Sequence, residues 1–129
     1  MNMRMRIVAI VLLACFGGAP QALAEAEEVA PGITYEVLKE HDPSLIPGAT
    51  KIIESIFIMQ PGTSIDFPDG FPSTNICTAM LGQAKVTMGD MTVVRRAGDQ
   101  WTEPRDTPMA LQNDGDVPFV DKTFEIFFE

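Results

Sequence analysis

Residues 62–82, GTSIDFPDGFPSTNICTAMLG, and residues 98–113, GDQWTEPRDTPMALQN, decide how this chain folds. Each begins at a glycine that closes an apolar run and ends at a turn-forming residue, Gly82 or Asn113. Glycine permits the positive φ and close backbone approach that sharp strand ends require. Between the two stretches, Val86-Thr87-Met88, Gly89-Asp90 and Met91-Thr92-Val93 read as a tight hairpin. Upstream, Lys51 to Met59 (KIIESIFIM) predicts a strand buried on at least one face, closed by Pro61-Gly62. Ile33 to Leu38 alternates in the manner of a first strand, and His41-Asp42-Pro43-Ser44 and Pro47-Gly48 are turn chemistry. Further strands are predicted at Ile76–Leu81, Lys85–Met88, Met91–Arg96, Gln100–Thr102, Met109–Gln112 and Phe119–Phe128. Short strands at intervals of roughly ten residues, with no helix-period stripe, predict an all-β sandwich or barrel.

The first 24 residues read as a leader and not as part of the fold. Arg4 and Arg6 make a basic start, Ile7 to Phe16 is apolar, Pro20 breaks the run, and Ala22-Leu23-Ala24 presents small residues for cleavage after Ala24. The run falls short of the roughly 20 residues a membrane-spanning helix needs. A cleaved signal peptide places the mature protein in the periplasm or outside the cell. The rival reading takes Leu12-Leu13-Ala14-Cys15 as a lipoprotein box, with Cys15 lipidated and holding the chain at a membrane. Residues 25–31 then form a flexible acidic lead-in and 32–129 one domain.

The 18 acidic and 9 basic residues give a net charge of −9, which becomes −11 once Arg4 and Arg6 leave with the leader. Such a surface argues against nucleic acid and anionic lipid as partners and suits plain solubility. With Cys15 gone, Cys77 stands alone. No intrachain disulfide is then available, and a lone thiol in an oxidising compartment is tolerated best when buried.

The two quoted stretches resemble the paired motifs of the cupin family. Gly62, Pro68-Asp69-Gly70, Asn75 and Gly82 reproduce the spacing of the first motif. Gly98, Pro104-Arg105-Asp106, Met109 and Asn113 reproduce the second, and Asn113-Asp114-Gly115-Asp116-Val117-Pro118 looks like its common exit. The resemblance spans residues 50–128, with Ile33 to Leu38 as the leading strand. It implies a double-stranded β-helix, or jelly-roll barrel, of the small RmlC-like kind. It also implies a homodimer, since the leading strand of small cupins often pairs across a two-fold axis.

In metal-bearing cupins three histidines and a glutamate hold the ion. Carried over by position, those duties fall on Pro68, Gly70, Asn75 and Met109. Proline and glycine offer no side-chain donor, a neutral amide is a poor ligand, and a thioether is soft. No hard-metal cofactor is expected, and the metal-dependent reactions of the family are argued against. His41, upstream of both motifs, reads as a surface turn residue. Cys77 shares Asn75's strand face, and Met109 enters from the other motif. The pair reads either as dry core or as a soft site for cuprous copper, although strand parity sends Met80 to the opposite face.

Metal-free catalysis calls for acids near the barrel mouth. Asp66 and Glu103 are the candidates. Asp66 is expected on the inward face two residues before Pro68, and Glu103 is placed to pair with Arg105 across Pro104. With Phe67, Asn75, Cys77, Trp101, Arg105 and Met109 they make up the expected ligand pocket. Three functions compete: an exported binding or accessory module for a small organic molecule, a metal-independent isomerase or lyase, and a structural role through dimerisation. The first ranks highest, because no residue pair in the sequence satisfies a spacing rule for catalysis.

Overall fold

The computed structural model describes residues 26–129. The leader expected over residues 1–24, with Cys15, lies outside them. Ten strands follow in order: β1 Glu27–Ala30, β2 Ile33–His41, β3 Ala49–Met59, β4 Ser64–Phe67, β5 Thr74–Leu81, β6 Gln83–Met88, β7 Met91–Arg96, β8 Gln100–Glu103, β9 Met109–Gln112 and β10 Phe119–Phe128. A single 3-10 turn, Pro43–Leu45, interrupts them, with the Asp42 carboxylate accepting from the Ser44 amide at 2.9 Å. Six strands form one sheet in the order β1-β2-β3-β10-β5-β8, and four form the other in the order β4-β9-β6-β7. Every pairing is antiparallel. The arrangement is a jelly roll, as the all-β expectation required.

The core lies between the sheets. Ile33, Met59, Cys77, Ala79 and Trp101 of the larger sheet meet Ala84, Val86, Met109 and Leu111 of the smaller, with Phe119 fully buried among them. Burying one such large side chain is worth roughly 2 kcal/mol. The predicted hairpin is β6–β7, with Met88 opposite Met91 around Gly89-Asp90.

Gly82 shows why its position requires glycine. Its φ is 70°, and a Cβ there would stand 2.4 Å from the Pro118 carbonyl oxygen. Asn113 closes the same end of the barrel, as its reading as a turn-capping residue predicts. Its side-chain amide donates to the carbonyls of Met59 (2.9 Å) and Val117 (3.0 Å) and accepts from the Gly115 amide at 3.0 Å.

Two boundaries need correction. The stretch expected as a flexible lead-in holds β1, which pairs with β2 through Glu27 opposite Tyr35 and Glu28 opposite Thr34. Val29 and Ala30 pack against the core, and Glu28 accepts from the Gly32 amide at 3.2 Å, contacts that outweigh the acidic composition. The first strand also runs on to His41, which is therefore a strand residue and not a turn residue. His41 is half-buried against Phe124 and shares a 2.9 Å contact with Glu54, whose carboxylate also pairs with Lys122. The strand β4 had no counterpart in the sequence reading, because SIDF is too short for its alternation to stand out.

Candidate functional site

A cavity of about 240 Å³ lies on the inner face of the six-stranded sheet. Strand register explains its lining. Successive residues on a strand alternate faces, and neighbouring strands lie about 4.8 Å apart. Asn75 on β5 stands opposite Glu103 on β8 and opposite Glu125 on β10. Cys77, one step further in, stands opposite Trp101 and Thr123, and Thr123 stands opposite Ser55 of β3. Asp121 stands opposite Phe57, and Phe57 opposite Tyr35 of β2. The inner face thus carries two polar rows around a buried thiol.

Glu103, Asp121 and Glu125 line the cavity together with Asn75, Ser55, Thr123 and Tyr35. The apolar wall is Val29, Phe57, Phe67, Phe71 and Leu111. Phe67 and Phe71 lie 4.5 Å apart between ring centroids and Phe57 6.5 Å from Phe67, both pairs tilted. Such offset contacts stabilise an aromatic cluster beyond its buried area.

Glu103 is only 4% exposed, and its placement is specified by neutral donors. Trp101 donates its indole N–H to one carboxylate oxygen at 3.1 Å, and Asn75 donates to the other at 3.3 Å. Asn75 is itself held by the Ser73 hydroxyl, 2.7 Å from its oxygen. The Arg95 guanidinium lies over the Trp101 ring, 5.0 Å from its centroid.

Asp121 is equally buried. Desolvation, reinforced by the nearby Glu103 charge, pushes its carboxyl up to about 8, so it carries its proton at neutral pH. Thr123 donates to its Oδ1 at 3.3 Å. Glu125 accepts from the Tyr35 hydroxyl at 2.6 Å, and burial together with that bond raises the phenol far above its ordinary range. Burial also raises the Cys77 thiol, with Asp121 and Glu103 adding to the effect, so Cys77 is a protonated, unreactive sulfur.

The expected site residues divide cleanly. Glu103, Asn75 and Phe67 line the cavity, and Trp101 supports Glu103 from behind. Cys77 and Met109 belong to the packed core and do not line this cavity. Asp66 is a correction. Phe67 turns into the cavity, so alternation puts Asp66 on the outer surface, where it borders a polar groove with Ser64, Lys85 and Thr87. Burying the ring is favourable and burying the carboxylate is not. Arg105 is the second correction: it is exposed and lies 3.6 Å from Asp106, while Glu103 takes Asn75 and Trp101 instead.

The four positions that hold metal in the family do not converge. Pro68 is exposed, Gly70 (φ 68°) turns against the Thr107 backbone, and Met109 packs in the core. Only Asn75 of the four reaches the cavity. Among the described residues no group of three or more His, Cys, Asp or Glu is placed to hold an ion. The donor set therefore does not fit the metal of the family.

Sequence reasoning missed Tyr35, Ser55, Asp121, Thr123 and Glu125. The signal was present in β10, where Phe119, Asp121, Thr123 and Glu125 alternate with Val120, Lys122, Phe124 and Ile126. Apolar residues on that second face concealed which side was inward.

No protein-family model matches the chain, and no curated protein matches it. Solved structures do. The cupin domain of Cnp3 from Schizosaccharomyces pombe superposes with a TM-score of 0.64 at 12% identity, covering 80% of this chain and 68% of that one. A predicted oxalate decarboxylase from Thermotoga maritima gives 0.63 at 15% identity, over 82% of this chain and 93% of its own. KdgF from a Halomonas species gives 0.61 at 16% identity, over 78% and 86%. These similarities show that the fold is that of the cupins.

Proposed function

We propose that the protein binds a small organic molecule, without a metal, in the cavity on the inner face of the six-stranded sheet. The observation that carries this reading is the cavity itself. Aromatic side chains line it together with carboxyl groups, hydroxyls and an amide. An apolar surface with a few convergent polar groups is the usual composition of a ligand site. At about 240 Å³ the cavity is smaller than the roughly 300–1,000 Å³ typical of drug-sized ligands, so the ligand is small.

Export to the periplasm or beyond belongs to the same proposal, as does pairing of two copies. N-terminal sequencing of the secreted chain and sedimentation equilibrium test those two points. The cavity is tested by Val29→Trp, which places an indole over a half-buried lining position. A fragment screen by isothermal titration is expected to find ligands for the parent chain whose affinity drops at least about tenfold in this variant. Ligands that bind both forms equally would place recognition elsewhere.

A second reading rests on Asp121 and Glu103. A protonated carboxyl beside a carboxylate fixed by two N–H donors is an acid and a base facing one cavity. That pairing supports a proton-transfer enzyme of the isomerase or lyase class. In it Glu103 is the base, as the sequence offered, and Asp121 is an acid that the sequence reading did not name.

A further inference from the structure

The cavity has a charge that nothing in its walls offsets. Glu103, Glu125 and the protonated Asp121 line it, and no Lys, Arg or His does. The ion pairs of the described residues lie elsewhere, at His41–Glu54, Lys85–Asp114, Arg105–Asp106 and Lys122–Glu54. Buried charges are ordinarily paired, because an unpaired one is costly to desolvate. Glu103, 4% exposed, is held by neutral groups, Asn75, Trp101 and the Cys77 thiol.

Two further observations point to a ligand. Asp121, also 4% exposed, accepts from Thr123 at Oδ1, with Cys77 and the Thr78 backbone as its further hydrogen-bond partners, all of them neutral. That is a nine-tenths-buried carboxyl with no cationic partner, lining the cavity. The rings of Phe57, its cross-strand neighbour on β3, and of Phe67 and Phe71 line the same cavity. Aromatic faces carry partial negative charge and attract cations, most strongly where water is excluded. An anionic ligand would meet carboxylates with no basic residue to receive it.

Resting on the cavity reading, we propose that the ligand is a small organic ammonium ion. Its charged nitrogen sits between Glu103 and Glu125, and its alkyl part lies on Phe57, Phe67 and Phe71. The titratable groups that face Asp121 are Glu103 from β8, Cys77 from β5, Tyr35 from β2 and Glu125 from its own strand. A cation among them favours loss of the Asp121 proton, so binding strengthens as pH rises from 6 to 9.

Three probes of one shape separate charge from fit: choline, the neutral 3,3-dimethyl-1-butanol and the anionic 3,3-dimethylbutyrate. Isothermal titration of the full mature chain is expected to rank choline about tenfold or more above the alcohol, with no binding of the acid. Glu125→Gln, at a half-buried position, is expected to weaken choline several-fold and leave the alcohol unchanged. Asp121→Asn is expected to flatten the pH dependence of choline binding. If the alcohol binds as tightly as choline and Val29→Trp abolishes both, the cavity binds ligands and the charge inference is wrong. If choline binds equally well to Val29→Trp, both the site and the inference fail. Absence of choline binding at millimolar concentration overturns the inference as well.

Discussion

Asp121 is the residue on which the chemistry turns. Its folded-state carboxyl titrates at about 8 against an ordinary 3.8. The stability it contributes is therefore complete below pH 4 and is lost as pH rises through 8. Between those limits the unfolded chain releases a proton that the folded chain keeps, a slope of up to about 1.4 kcal/mol per pH unit. Asp121→Asn removes that dependence. Its urea midpoint is expected to change less than the parent's between pH 5 and 8, and to lie above it at pH 8. Equal slopes in the two proteins would contradict the burial of this carboxyl. Glu54 acts with the opposite sign. Hydrogen bonds from Lys122 and His41 hold its carboxyl below the usual range, so its contribution is lost as pH falls. The comparison with Asp121→Asn isolates one group from the other.

Among the strands, legibility followed pattern strength. The β6–β7 hairpin was plain from Val86 to Val93 because a two-residue Gly-Asp turn between alternating runs has few other readings. The lead-in was misread because Glu25 to Pro31 looks solvated by composition, and only tertiary contact reveals that Val29 and Ala30 pack inward. Asp66 was placed on the wrong face for a related reason. Inward parity was counted from Pro68, whereas β4 ends at Phe67 and takes its register from β9, with Phe67 opposite Met109. The glycines were read correctly as architecture, and two of them predict different costs. Gly62 and Gly82 both have positive φ, but a Cβ meets nothing within 4 Å at Gly62 and lies 2.4 Å from backbone at Gly82. Gly62→Ala is expected to lose about 1–2 kcal/mol from left-handed strain alone. Gly82→Ala is expected to lose clearly more, because the Pro118 carbonyl must move. Chemical denaturation of the two variants measures the difference, and equal losses would contradict the close approach.

At the scale of the whole molecule, the cupin framework was readable because its glycines, prolines and Asn113 serve the backbone and keep their spacing. The cavity was not readable from the same motifs. Its polar groups come largely from β2, β3 and β10, outside both motif stretches, and only strand pairing brings Tyr35, Ser55, Asp121 and Glu125 to one face. Motif positions specify where the family's metal would sit, and here those positions hold a surface proline, a turn glycine, an amide and a core thioether. Function is accordingly read from the cavity and not from the fold. Native mass spectrometry of the protein, with elemental analysis of the same sample, tests this most directly. A small-molecule adduct that disappears in Val29→Trp, in protein without stoichiometric metal, is the predicted result. One equivalent of a divalent metal in the parent chain, lost on Asn75→Ala, would contradict it.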